Sequence, residues 1–223
     1  MIQSKTRDVQ VTYNRIAEEY ARRIYDELRH KPLDRQLLDR FAANVPDSAG
    51  VVCELGCGPG HVARYLQGRR LQVRGMDMSE EMLTHARQLN PGITFEPGDM
   101  RALPVKDNSW AGVVAFYAIV NLQSGEIPQV FREMIRVLIP GGQLLLSFHV
   151  GEDTLHVEDN VWGCGVTLET TFFRVSTISD FLREAGFIIG EIIEREPYAP
   201  EVEYQSRRAY IFAQKPRTKI TSA

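Results

Sequence analysis

Residues 51–60 read Val-Val-Cys-Glu-Leu-Gly-Cys-Gly-Pro-Gly: a short apolar run, one acid, and a turn holding three glycines. A helical pattern resumes directly after it. A buried strand that breaks into glycines and re-emerges as a helix confines a chain to α/β architectures, because the turn must bend sharply and leave its backbone open to a ligand. The rest of the first 150 residues keeps that rhythm. Strands are expected at 51–55, 71–77, 92–96, 110–117 and 143–149. Helices are expected near 60–68 and after Ser79, where Glu80 and Glu81 fill the first turn. A third carries Ile127, Val130, Phe131, Met134 and Leu138 on one face and is stopped by Pro140-Gly141-Gly142. Such alternation requires a parallel sheet covered on both faces, joined by right-handed crossovers.

Two amphipathic segments precede the sheet. Tyr13, Ile16, Ala17, Tyr20, Ile24 and Leu28 recur at helical spacing, and Leu33, Leu37, Leu38, Phe41, Ala42 and Val45 do so after Pro32. Beyond residue 149 the pattern breaks. Residues 150–175 read as an irregular insertion with one strand at 168–174, followed by a helix over 177–185 stopped by Gly186. The runs 187–195 and 208–214 read as a terminal antiparallel hairpin. A length of 223 residues suits one well-buried domain and is short for two. The expected organisation is a single domain over 1–223, with a helical cap at 1–46, a lid at 150–175 and a flexible, basic tail at 215–223.

The net charge of −3 carries no basic stripe, so nucleic acid is not an expected partner. No run approaches transmembrane length, and MIQSKTRDVQ lacks the apolar core of a signal peptide. Cys53, Cys57 and Cys164 show neither disulfide-framework nor metal-ligand spacing. These features lead to the expectation of a soluble, cytoplasmic protein without a metal.

The glycines fall at 56, 58 and 60, a GxGxG spacing with His61 where a dinucleotide fingerprint would place its third glycine. Glu54 precedes them, Asp77 ends the second strand and Asp99 follows the third. All three acids fall on the carboxyl edge, where open α/β sheets bind ligands. The chain resembles the class I S-adenosylmethionine-dependent methyltransferases of the broad small-molecule (type 11/25-like) group. VCELGCGPG, GMDMS (75–79), FEPGDMRALP (95–104) and FREMIRVLIPGGQLLLS (131–147) are similar to successive family motifs, and YNRIAEEYARR (13–23) is similar to its N-terminal helix.

The resemblance implies a Rossmann-like seven-stranded sheet, parallel except for an antiparallel last strand, with helices on both faces and an N-terminal helical cap. It implies S-adenosylmethionine as cofactor and S-adenosylhomocysteine as product. A cationic cofactor without a pyrophosphate suits a site rich in carboxylates. By the same resemblance, the backbone of Gly56, Cys57, Gly58 and Gly60 runs under the methionyl and ribose part, with Glu54 near the cationic end. Asp77 takes the ribose hydroxyls and Met78 lies along the adenine. Asp99 and the Met100 backbone take the adenine edge, and Phe116 borders the methionine moiety. Tyr13 and Tyr20 close the site, with Arg23 suited to the cofactor carboxylate, although core packing serves the two tyrosines equally.

Transfer from a sulfonium needs alignment and exclusion of water more than acid–base chemistry. The candidate base is His149, which ends the fifth strand; His156 follows in the lid. Tyr25, His156, Trp162, Phe172, Phe173, Arg174, Tyr198, Tyr204 and Arg207 are the expected lid residues, an aromatic-rich set suited to a small organic acceptor. Phe116-Tyr117-Ala118-Ile119 stands where enzymes acting on exocyclic amino groups carry [DN]PP[YF]. The expected activity is O- or N-methylation of a small molecule (EC 2.1.1.-). Alternatives are a non-catalytic cofactor-binding protein, C-methylation of a quinone- or polyketide-like acceptor, and a nicotinamide-dependent oxidoreductase. Oligomeric state stays open, a homodimer included.

Overall fold

The computed structural model describes residues 2–46 and 50–217, with the side chains of residues 2–8 left aside. The expected tail therefore lies mostly outside the described residues. Within them, Lys215 is tied down, its Nζ donating to the Leu138 carbonyl at 2.7 Å.

Helix α1 (Ile2–Ile24) begins well before Tyr13 and is followed by a short 3-10 turn at Glu27–His30 and by α2 (Pro32–Asn44). Then come β1 (Val51–Leu55), α3 (His61–Gln67), β2 (Val73–Asp77), α4 (Glu80–Leu89), β3 (Thr94–Pro97) and β4 (Trp110–Phe116). After a 3-10 turn at Ile119–Asn121 follow α5 (Ile127–Val137) and β5 (Leu138–His149). A hairpin of β6 (Thr154–Glu158) and β7 (Leu168–Phe172) leads to α6 (Val175–Ala185), β8 (Ile188–Arg195) and β9 (Arg208–Gln214). The main sheet runs β3-β2-β1-β4-β5-β9-β8. The pairs from β3 through β5 are parallel. Strand β9 is antiparallel to both β5 and β8, so the antiparallel strand is the last in sequence but lies one place inside the edge.

Both faces are buried, as the alternation required. On one face Cys53, Val113, Leu144 and Ile211 pack with Phe131 and Met134 of α5 and with Ile178 and Leu182 of α6. On the other, Val52, Val114, Leu145 and Tyr210 pack with Leu38 and Phe41 of α2 and with Leu66 of α3. Adjacent residues of each strand thus serve opposite layers.

Two expectations are corrected. Helix α5 stops at Val137, and Pro140-Gly141-Gly142 lies inside a strand, because Leu138 already pairs with Trp110 and an irregularity in β4–β5 pairing absorbs the turn residues. The insertion holds two strands where one was expected; β6 alternates Leu155 and Val157 with polar residues, but over five positions only, and all five are exposed.

A cluster of buried charges ties the cap to the last hairpin. Glu203 meets Lys31 at 3.4 Å and Arg208 at 3.2 Å and accepts from Arg195; Arg195 also meets Asp34 at 3.2 Å. The Tyr210 hydroxyl donates to Asp34 at 3.0 Å. Burial raises the Glu203 carboxyl, but Arg195, the Tyr198 N–H, Arg208 and Lys31 more than offset it and hold the group below its ordinary value. Removing one member leaves buried charges unpaired, so Glu203→Ala is expected to cost about 3–5 kcal/mol in urea denaturation. The folded carboxyl lies below its unfolded value, so its stabilisation is full at pH 7. The gap between wild type and variant should narrow as pH falls below 4.5 and through the folded value.

Candidate functional site

A cavity of about 340 Å³ opens at the carboxyl edge, between the strand ends, α1 and the β6–β7 hairpin. Its floor is the glycine turn. Gly56, Gly58 and Gly60 have φ of +65°, +49° and +79°, which L side chains rarely adopt. At Gly56 a Cβ would also meet the Ala118 Cβ at 2.6 Å. Gly56 and Gly58 line the cavity, whereas Gly60 caps α3 and packs on Phe95.

Asp77 stitches this floor to the next strand. Its Oδ2 accepts from the Gly58 N–H at 2.8 Å, and its Oδ1 from the Ser79 N–H at 2.9 Å. Burial pushes its carboxyl up, against the pull of those backbone donors and the Met78 N–H. Asp99 lies farther along the edge with both oxygens on Arg101, Oδ2 at 2.6 Å from Nη2. Burial raises its carboxyl too, but the Arg101 bonds outweigh it and hold the group low. Arg101 bonds Glu126 as well. Asp77, Met78, Asp99, Met100 and Phe116 all line the cavity.

Besides Gly60, two more of the expected cofactor residues lie elsewhere. Glu54 is 2% exposed and points under the turn, its Oε2 accepting from the Ala63 N–H in the first turn of α3 at 2.7 Å. It is absent from the cavity wall and secures the start of that helix. Burial pushes its carboxyl well up. Cys57 is buried between Gly75 and the turn, its thiol pushed well up by burial, and is likewise off the wall.

Helix α1 forms the roof. Gln10 Nε2 donates to the Met78 carbonyl at 2.6 Å, and Asn14 Oδ1 accepts from the Ser79 hydroxyl at 2.7 Å. These bonds seat Tyr13 and Tyr20 over the floor, with Tyr20 facing Gly58 and the two rings 5.9 Å apart. Trp162, at the hairpin tip, lies 5.7 Å from the Tyr20 ring. Arg23 stacks on Trp162 at 5.3 Å and bonds Glu19, outside the cavity.

The far end of the cavity is built by the exit from β4 and by the hairpin: Tyr117, Asn121 and Leu122 on one side, Leu155, Leu168 and Thr171 on the other. Tyr117 has φ +52°, a strained conformation costing about 1–2 kcal/mol for a non-glycine residue. Its N–H donates to the Ser147 carbonyl at 3.0 Å, and its hydroxyl meets that of Tyr210 at 3.2 Å. The buried charge cluster therefore braces the wall of the cavity.

His149 does not reach that wall. Its Nδ1 is 2.6 Å from the Ser206 hydroxyl, and its ring stacks on Phe172 at 4.9 Å, with Tyr117 between it and the cavity. Burial, with Arg208 and Lys31 nearby, pushes its pKa down to about 3, so it is neutral but out of place as a base. His156 also stacks on Phe172, at 3.7 Å, and is exposed. Of the expected lid aromatics only Trp162 reaches the roof. Tyr25 bonds Asn90 at 2.7 Å, and the Tyr198 hydroxyl accepts from the Leu33 N–H at 3.0 Å. Phe173 is in the core, Tyr204 packs beside His149, and Arg174 and Arg207 pair with Glu152 and Glu194.

The floor of left-handed Gly56 and Gly58, joined by Asp77 and flanked by Asp99 beneath a helical roof, carries carboxylates where a dinucleotide site offers its helix start to a pyrophosphate. Residues 52–142, which contain it, match the family described as methyltransferase domain. Over that segment the chain is similar to the S-adenosylmethionine-dependent methyltransferases. It is 29% identical to a malonyl-[acyl-carrier protein] O-methyltransferase of Erwinia billingiae, over 66% of this chain and 58% of that protein. It is 32% identical to a 2-phytyl-1,4-naphtoquinone methyltransferase of Thermosynechococcus vestitus, over 61% of this chain and 62% of that one. The chain thus spans about three-fifths of the length of these curated relatives. Among solved structures, a methyltransferase of Methanosarcina mazei superposes with a TM-score of 0.70 at 17% identity, covering 78% of this chain and 96% of that one, which attests the fold.

The residues on the cavity wall fit such a cofactor: Asp77 keeps lone pairs for hydroxyl donors, and Asp99 keeps them for an amino group. Asp77→Ala is expected to weaken S-adenosylhomocysteine binding at least tenfold in calorimetry. Glu54→Ala should instead cost about 1–3 kcal/mol of stability, the worth of a buried hydrogen bond, with a smaller loss of affinity. Equal losses of affinity would return Glu54 to the binding site.

Proposed function

We propose that this chain transfers the methyl group of S-adenosylmethionine to an oxygen or nitrogen of a small organic acceptor. One observation carries the reading: a single cavity joins a carboxylate-bearing half, with Asp77 and Asp99, to a half walled by Leu122, Leu155 and Leu168. The cofactor supplies an activated methyl on a sulfonium. The chain supplies placement. In this reading Asp77 accepts from the ribose hydroxyls, Asp99 and the Met100 backbone take the adenine edge, and Phe116 bounds the methionine portion. Tyr13 and Tyr20 close the roof against water, which strengthens every polar contact beneath them.

Alignment of acceptor, methyl and sulfur on one line accounts for much of the acceleration. Burial, partly opposed by the Asn121 hydrogen bond, pushes the Tyr13 hydroxyl up to about 12, so at neutral pH it is a hydrogen-bond donor and not a base. C-methylation of a quinone-like ring is the second reading. It is favoured by the three leucines of the far wall and by the similarity to the naphtoquinone enzyme.

The deciding assay measures release of S-adenosylhomocysteine against amines, phenols, carboxylic acids, thiols and a naphthoquinone. Turnover with an amine or a hydroxyl compound supports the first reading, and turnover confined to the quinone supports the second. Calorimetry that detects a nicotinamide dinucleotide but no S-adenosylhomocysteine would sink both. Tyr13→Phe should lower turnover while leaving the shape of the pH–rate profile between pH 6 and 9 unchanged, because Tyr13 does not ionise in that range.

A further inference from the structure

Asn121 was not singled out by any motif, yet it occupies the junction of the two halves of the cavity. It closes the 3-10 turn that follows β4, with Ala118 of that exit lying against Gly56 on the floor and Leu122 against the hairpin. Its Nδ2 donates to the Tyr13 hydroxyl at 3.0 Å. Its Oδ1 is buried and finds no hydrogen-bond partner among the described residues. A buried carbonyl oxygen left unpaired costs about 1–3 kcal/mol, and native structures keep such an atom where a bound group satisfies it. Beside it, Tyr13 receives the Asn121 amide and retains its own hydroxyl proton for donation.

We propose that Asn121 is a specificity-determining residue whose Oδ1 accepts a hydrogen bond from an N–H or O–H on the atom to be methylated. The acceptors are then primary or secondary amines and hydroxyl compounds, and not tertiary amines or bare ring carbons. The inference rests on the methyltransferase reading above and narrows its acceptor class. A donor on the reacting atom would be held by its proton, which leaves the lone pair free to turn toward the methyl. In the transfer the acceptor atom forms a bond to the methyl carbon as the carbon–sulfur bond breaks, and the electron pair stays on sulfur. The acceptor's proton leaves afterwards to water. A fully substituted analogue of the same shape gives Oδ1 nothing to accept, and the site carries the loss of an unmade buried bond.

The test uses matched probes on the full chain saturated with S-adenosylhomocysteine: benzylamine against benzyltrimethylammonium, which has no N–H at any pH, and phenol against anisole. Ligand-observed NMR titration should give the N–H and O–H members at least fivefold tighter binding than their methylated partners. N–H and O–H members that bind no better than those partners, or fail to bind, overturn the proposal. Asn121→Ala should erase the discrimination, while Asn121→Asp, which keeps an acceptor oxygen, should retain it for benzylamine. Calorimetry on the same variants separates the alternatives. If Asn121→Ala loses S-adenosylhomocysteine affinity more than tenfold, the oxygen serves the cofactor and the proposal fails. If wild type itself does not bind S-adenosylhomocysteine, the methyltransferase reading fails first.

Discussion

The hydrogen bond from the Gly58 N–H to Asp77, 2.8 Å long, is where the fold becomes a site. Parallel strands end with their backbone groups pointing the same way, and each needs a partner beyond the sheet. Here the end of β2 supplies one for the turn after β1, so two adjacent strands share a rigid corner. The second Asp77 oxygen starts α4 through Ser79, and the side chain of Ser79 holds α1 through Asn14. One carboxylate thereby fixes the floor, the next helix and the roof. Tyr13, Tyr20 and Met78 stand where they do because of that chain of bonds.

A second constraint acts from the opposite flank. The buried charges of Lys31, Asp34, Arg195, Glu203 and Arg208 hold the last hairpin to the cap, and through Tyr210 they hold Tyr117 in its left-handed conformation. The exit from β4 then turns into the cavity and does not continue along the strand. Strain at one residue is maintained by a network anchored far from it in sequence.

The alternation of β1 to β5 and the site acids could be read in the sequence because each rests on local patterning: apolar runs, a glycine turn, an acid at a strand end. Asp77 and Asp99 fall on the cavity wall at the strand ends where position put them, and so do Met78, Met100 and Phe116, which the family resemblance pointed to. Glu54 shares the same signature, yet it turns beneath the floor, because strand periodicity does not say which side of a turn a side chain takes. His149 was misplaced for a similar reason. It reaches the carboxyl edge, but the hairpin inserts Phe172 and leaves Tyr117 between it and the cavity, and neither contact is local. Strand β6 alternates polar and apolar residues over only five positions, none of them buried, and so short a run reads as easily as loop. Asn121 and the charge cluster join segments about a hundred or more residues apart, which no spacing rule can reveal.

The hairpin tip has one further consequence. The chain holds two tryptophans. Trp110 is 1% exposed in the sheet core, and Trp162 lies against Tyr20 and Arg23 at the mouth of the cavity. The protein therefore carries an internal optical reference and an optical sensor in one molecule. Emission from Trp110 reports whether the sheet is intact, and emission from Trp162 reports whether the hairpin tip packs on the roof.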